Sequence, residues 1–71
     1  MRYDLSKFPQ RLKQSRVNRK MTYRQLSSIA EIDTANLFRY EQGKYCPSLP
    51  VVIRLANALD ISLEWLCGYD V

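Results

Sequence analysis

The sequence predicts a single all-α domain, residues 1–71, built from five short helices. Its 71 residues place it near the lower limit for a core that folds without disulfides or metals. Strand-like alternation of useful length is absent, and glycine and proline are few, so long disorder is not expected. The most informative segment is 23–42, where two short helical patterns meet across a tight turn.

That segment has the spacing of two helices that share a core. Leu26 and Ala30 are four residues apart on the first helix, and Leu37 and Tyr40 are three apart on the second. Ile32 falls in the turn between them. The pattern lets the helices meet at a sharp angle and leaves the second with a polar outer face. This is the spacing of a DNA-binding helix-turn-helix.

The first helix is predicted at about 6–18. Phe8, Leu12 and Val17 are expected to face inward. Pro9 lies in the first turn, where the N–H groups have no intrahelical partner to lose, so the proline is compatible with the helix.

Capping signals define the second and third helices. Thr22 and Gln25 form a capping box, in which each side chain accepts from the other's backbone N–H. The second helix is expected to end near Ala30. The third begins after Asp33, whose carboxylate caps it and interacts favourably with its positive end. Gly43 supplies a left-handed stop.

The fourth and fifth helices follow a short loop. Ser48 is expected to cap the fourth helix, and Ser62 the fifth at 63–67. The apolar stripe of the fourth helix consists of Val52, Ile53, Leu55, Ala56 and Leu59. Trp65 and Leu66 are expected to close the core over the first and fourth helices.

The positive charge of the chain is unevenly distributed. The net charge is +4, but residues 1–44 hold about +6 and residues 45–71 about −2. A basic half beside an acidic half is typical of a polyanion-binding protein. A solvated, lysine-rich surface is the alternative interpretation.

Residue types needed for metal binding, catalysis or membrane insertion are missing. The chain has no histidine, and Cys46 and Cys67 are far apart, so neither a zinc set nor a CxxC pair is present. Two thiols fit a reducing cytoplasm, with a disulfide left as the alternative. No acid–base carboxylate pair, phosphate loop or activated nucleophile is present, and no apolar run suits a membrane or a signal peptide. We therefore expect a cytoplasmic non-enzyme without cofactor, metal or membrane contact.

With these elements placed, the chain resembles the helix-turn-helix family of phage repressors and Cro proteins, called Cro/CI-type or XRE-like. The motifs occur in the family's order and spacing: RLK at 11–13, MT at 21–22, the segment 23–42, YEQGK at 40–44, PSL at 47–49 and ALDISLEWL at 58–66. The resemblance covers nearly the whole chain. It implies a compact, lambda-repressor-like domain whose second and third helices form the helix-turn-helix, with the third helix in the DNA major groove.

The resemblance assigns base contacts to the outer face of the third helix. Thr34 and Ala35 lie at its N-terminus, where the family usually contacts bases. Arg39 can donate two hydrogen bonds to guanine O6 and N7, a pairing worth ~1–3 kcal/mol of discrimination. Phe38 departs from the family pattern, and it either packs against thymine methyl groups or marks a protein-binding surface.

Phosphate contacts are expected around that face. Tyr23 occupies a position where relatives often carry glutamine, and its hydroxyl can reach a phosphate near the N-terminus of the second helix. The predicted contacts to the DNA backbone are Arg11, Tyr23, Arg24, Asn36, Gln42 and Lys44. Such contacts orient the protein and set its salt dependence without selecting sequence.

Two further features follow from the resemblance. In relatives an arginine late in the first helix pairs with a glutamate late in the third, which assigns Arg16 and Glu41 mainly to a structural ion pair. The turn usually carries glycine where this chain has Glu31. If the backbone there is left-handed, Glu31 bears a modest energetic cost.

The sequence therefore predicts a transcriptional regulator that binds duplex DNA in a sequence-specific manner. We expect a phage or prophage repressor that occludes promoter DNA as a homodimer on a palindromic operator. Its length favours a Cro-like protein or the DNA-binding part of a longer repressor. The alternative is a protein-interaction module, an antirepressor or the partner of another regulator, that uses the same face of the third helix.

Overall fold

The computed structural model describes residues 2–70, with side chains from residue 4 onward. In chain order its elements are β1 (Arg2–Tyr3), a 3-10 helix (Leu5–Lys7), α1 (Phe8–Asn18), α2 (Tyr23–Ala30), α3 (Thr34–Glu41), α4 (Leu49–Leu59), α5 (Leu63–Leu66) and β2 (Tyr69–Asp70). The all-α prediction is confirmed, with one short strand pair added. Within residues 2–70, no helix is both long enough and apolar enough to cross a membrane.

One apolar core joins the five α-helices of the described chain. Its buried members are Phe8, Leu12, Leu26, Ala30, Leu37, Val52, Leu55, Ala56, Leu59 and Leu66. Leu66 is fully buried as predicted, whereas Trp65 is only half-buried. The inward orientation predicted for Val17 and Ile53 is wrong, because both side chains are exposed. Val17 falls on the side of α1 opposite Phe8 and Leu12, and Ile53 is turned about 100° away from Val52 on α4.

The predicted caps set where the helices begin. The Thr22 hydroxyl accepts from Gln25 N at 3.1 Å, and Gln25 Oε1 accepts from Thr22 N at 2.9 Å, which completes the capping box of α2. Asp33 Oδ1 accepts from the Ala35 backbone N–H at 2.8 Å at the start of α3. Ser48 precedes α4 without a side-chain cap bond, so proline in the first turn takes over part of that role.

The ends of the described chain pair with each other. β1 and β2 are antiparallel, with Arg2 opposite Asp70 and Tyr3 opposite Tyr69. The Asp4 backbone N–H continues the pairing by donating to Gly68 O at 3.0 Å. The strands are two residues each, too short for periodicity to show, and the start of the predicted first helix is the 3-10 turn instead.

The turn between α2 and α3 passes through a left-handed residue. Glu31 has φ 58° and ψ 50°, and the Ile32 backbone N–H donates to Ser27 O at 2.9 Å. This geometry turns α3 sharply away from α2. The non-glycine residue in the turn therefore carries the conformational cost that the sequence analysis anticipated.

We expect Glu31→Gly to stabilise the protein by about 0.5–1 kcal/mol. Glycine removes the cost of ~1–2 kcal/mol that a side chain bears in left-handed backbone. Its greater freedom in the unfolded chain offsets part of that stabilisation. Urea unfolding of both proteins measures the difference. Gln14→Gly, in the right-handed interior of α1, is the matched control and should lose ~1 kcal/mol. A loss of stability in Glu31→Gly would contradict the left-handed assignment.

Candidate nucleic-acid interface

The outer face of α3 is exposed along its whole length. Leu37 and Glu41 are the buried residues of this helix and face the core. The four predicted base-contacting residues, Thr34, Ala35, Phe38 and Arg39, are all exposed. Phe38 is an unusual residue to leave in water, since 44% of its surface is accessible. The helix therefore separates a buried face that fixes its position from a free face that can meet a partner.

Most of the predicted contact residues converge on one shallow hollow. This open depression of about 500 Å³ lies beside the start of α2 and the outer face of α3. It is lined by Tyr23, Thr34, Ala35, Phe38, Arg39, Gln42 and Lys44. Arg39 and Lys44 are cationic, and none of these seven described residues is acidic. The hollow thus offers hydroxyl, amide, apolar and cationic groups together on one surface.

Tyr23 and Phe38 form the aromatic part of this surface. Their ring centroids are 5.6 Å apart with an interplanar angle of 72°, an edge-to-face contact. Burial raises the pKa of the Tyr23 hydroxyl, and the nearby Glu41 carboxylate raises it further. The Tyr23 hydroxyl is therefore in its neutral form at neutral pH and lies close to the Arg16–Glu41 pair.

An ion pair behind the hollow ties α1 to α3. Arg16 donates to Glu41 through Nε at 2.7 Å and through Nη2 at 3.2 Å, and its Nη1 donates to Met21 O at 2.8 Å. The accessible fractions of the two side chains are 11% and 2%. The Arg16 guanidinium also lies 4.1 Å from the centre of the Tyr23 ring. The hydrogen bond to Glu41 raises the pKa of Arg16, which favours the charged form of its guanidinium.

Three predicted contacts, Arg11, Arg24 and Asn36, lie outside the hollow. Arg24 is exposed in the first turn of α2, next to Tyr23. Asn36 is exposed on α3, and its Oδ1 accepts from Arg39 Nη1 at 3.1 Å. Tyr45, whose ring lies 5.9 Å from the Arg39 guanidinium, was not among the predicted contacts. The signal in the sequence that could have indicated it was an aromatic residue directly after Lys44, a predicted phosphate contact.

Arg11 is the predicted contact whose side chain is engaged elsewhere in the fold. Its Nη1 donates to Trp65 O at 2.6 Å, its Nη2 donates to Asp70 Oδ1 at 2.8 Å, and its guanidinium stacks 4.8 Å from the Trp65 ring. Only 14% of the side chain is accessible. Lys7 and Arg11 hold the pKa of Asp70 below its usual value. Arg11 therefore anchors the end of the described chain, and its guanidinium is turned toward Asp70 and Trp65.

A short helix, a turn through a left-handed residue and a second helix with a free outer face define a helix-turn-helix protein. A family model described as helix-turn-helix matches residues 12–66. The chain belongs to this family, the Cro/CI-type or XRE-like group that its motifs resemble. A comparison with curated protein sequences found no significant match.

Solved structures of similar fold support the assignment. The restriction-modification controller protein C.AhdI from Aeromonas hydrophila is 33% identical with a TM-score of 0.82, over 89% of this chain and 96% of that one. A chain of the SinR/SinI protein complex is 25% identical with a TM-score of 0.80, over 83% and 58%. The DNA-binding domain of the P22 C2 repressor is 20% identical with a TM-score of 0.83, over 99% and 90%, and shows the fold alone.

Proposed function

We propose that this protein is a transcriptional regulator that binds duplex DNA by inserting α3 into the major groove. The observation that carries the proposal is the exposed face of α3, where Arg39 and Lys44 border a hollow without acidic lining residues. An eight-residue helix with small side chains at its N-terminus fits the width of the groove. The similarity to a restriction-modification controller protein supports a regulatory role.

The contacts divide between bases and the DNA backbone. Arg39 is proposed to contact guanine, and Thr34 and Ala35 the neighbouring base edges from the start of α3. Phe38 packs against a thymine methyl group, with its ring held by Tyr23. Tyr23, Arg24, Gln42 and Lys44 contact phosphate or sugar around this face. The Arg16–Glu41 pair keeps α3 at the angle these contacts require.

A single copy is too small for selective regulation, so we propose a dimer on a palindromic operator. One helix-turn-helix module buries little surface on DNA, and two copies one helical turn apart double the recognised sequence. Occupation of promoter DNA by such a dimer would repress transcription without chemistry. The site of action is the cytoplasm.

A protein-binding role for the same face is the second candidate. Exposed Phe38 and half-buried Tyr23 place an aromatic pair in the lining of the hollow, and apolar patches of this kind mark protein contacts. One similar structure is that of a complex between two proteins, SinR and SinI. In this case α3 would bind another regulator in place of DNA.

We expect Arg39→Ala to lower sequence discrimination. Arg24→Ala should lower affinity without changing discrimination. Loss of the guanine contact should reduce the preference at one base pair by roughly 5- to 150-fold, the equivalent of ~1–3 kcal/mol. Loss of a phosphate contact should weaken binding to all sequences alike and reduce the salt slope by about one. Binding of duplexes selected from a random pool, measured by fluorescence anisotropy across salt concentrations, tests both.

The same titrations separate the two candidate functions. Selective binding that falls with salt supports the DNA-binding role, and a palindromic consensus supports the dimer. Absence of duplex binding at low salt would overturn the DNA-binding proposal. Unchanged discrimination in Arg39→Ala would overturn the guanine contact alone.

A further inference from the structure

Arg39 is exposed, yet two groups from different parts of the chain hold its guanidinium. Nη1 donates to Asn36 Oδ1 at 3.1 Å, and Cζ lies 5.9 Å from the centroid of the Tyr45 ring. Asn36 is one turn earlier on α3, whereas Tyr45 belongs to the loop that follows the helix. The guanidinium is thus restrained from two directions.

Backbone hydrogen bonds hold the Tyr45 loop in this position. The Gly43 N–H donates to Tyr40 O at 3.2 Å, and the Lys44 N–H donates to Arg39 O at 3.1 Å. Gly43 has φ +75°, which turns the chain back along α3. The loop is therefore attached to the same residue whose side chain Tyr45 contacts.

Asn36, Arg39 and Tyr45 also share a surface depression next to the hollow described above. This depression of about 400 Å³ is bordered by all three side chains. Arg39 lines both depressions, so it stands between the proposed DNA-contacting surface and the residues that restrain it. A side chain in this place can be oriented from one side while its other side stays free.

We propose that Asn36 and Tyr45 are positioning residues that hold Arg39 ready to contact a base before DNA arrives. This inference rests on the proposed function of α3. Immobilising a flexible side chain on binding costs the equivalent of roughly two- to tenfold in affinity, and a restrained arginine avoids that cost. A guanidinium held beside an aromatic face by a cation–π contact keeps its in-plane N–H groups free to donate. Asn36 therefore acts through Arg39, and its earlier assignment to phosphate is replaced.

The first test measures the order of the Arg39 side chain in the free protein. The heteronuclear 15N NOE of Arg39 Nε should fall in Asn36→Ala and in Tyr45→Ala. It should stay unchanged in Tyr45→Phe, which keeps the ring. Asn57→Ala, at an exposed position of α4, is the matched control. Alanine suits exposed helix positions, so Asn36→Ala and Asn57→Ala are expected to fold.

The second test measures base discrimination. The probe is a duplex selected by the wild-type protein from a random pool, together with copies in which 7-deazaguanine replaces each guanine and removes its N7 acceptor. At the guanine that depends on Arg39, Asn36→Ala and Tyr45→Ala should each reduce the preference by roughly two- to tenfold. Neither change should reduce it further when combined with Arg39→Ala. A general structural defect would lower the affinities for the selected duplex and for its 7-deazaguanine copy alike, and it would leave the ratio of these two affinities unchanged.

The two tests distinguish failure of the positioning role from failure of the proposed function. A wild-type protein that selects no duplex would overturn the proposed function and the base-contacting role of Arg39 with it. A selective wild-type protein whose preference is unchanged in both alanine variants would overturn the positioning role alone. An unchanged Arg39 NOE in those variants would overturn it too.

Discussion

Glu41→Ala is expected to destabilise the protein by about 3–5 kcal/mol, because it leaves the Arg16 guanidinium buried without its counter-charge. The carboxylate is 2% accessible and accepts two hydrogen bonds from Arg16. Among the described residues, Met21 O and the Tyr23 ring would then remain against this cation. Such a loss is a large part of the stability of a small domain. Urea unfolding followed by circular dichroism measures it.

Two control variants isolate the effect of burial. Arg19→Ala breaks an ion pair whose atoms are 3.4 Å apart and whose side chains are 44% and 89% accessible, so it should cost at most ~1 kcal/mol. Replacing both buried partners together, Arg16→Met with Glu41→Leu, should cost much less than Glu41→Ala. Equal losses of unfolding free energy in Glu41→Ala and Arg19→Ala would show that the buried ion pair stabilises the protein no more than the exposed one.

Gly68→Ala is expected to cost about 2–4 kcal/mol and to detach the strand pair. A Cβ at this position would lie 1.9 Å from Asp4 O and 2.6 Å from Asp4 C, so the backbone there must move. The φ of +90° adds strain for any side chain. The hydrogen bond from Asp4 N to Gly68 O would break. Urea unfolding gives the loss, and faster hydrogen exchange of the Asp4 amide locates it.

Gly43→Ala separates this steric clash from the backbone strain. Its φ is +75°, but the nearest side-chain atom to an added Cβ is Pro9 Cγ at 3.4 Å, an ordinary contact. The expected cost is ~1–2 kcal/mol, that of a left-handed non-glycine residue alone. If Gly68→Ala were no more damaging than Gly43→Ala, close contact with Asp4 would not be what requires glycine at position 68.

Local signals account for the parts of the fold that the sequence predicts well. The capping box of Thr22 and Gln25 and the Asp33 cap involve residues two or three positions apart. Their hydrogen bonds can be anticipated without any knowledge of tertiary structure. The outer face of α3 follows from helical periodicity in the same way, which is why Thr34 and Arg39 lie on the predicted surface.

Features that depend on distant partners could not be predicted in this way. Arg11 has the charge expected of a phosphate contact, but Asp70, 59 positions later, binds its guanidinium. The β1–β2 pair likewise needs the two ends of the described chain to meet. Tyr45 lies just beyond α3, where helical periodicity gives no orientation. Its contact with Arg39 depends on the turn at Gly43.

The division of α3 into a buried face and a free face bears on how this protein can evolve. Leu37 and Glu41 carry its packing, while Thr34, Ala35 and Phe38 have no place in the core. Substitutions at these outer positions should therefore alter the proposed contact surface at little cost in stability, since exposed sites usually tolerate replacement within ±0.5 kcal/mol. A chain with this scaffold can therefore exchange its outer residues while the buried ion pair and the leucine core keep α3 in position.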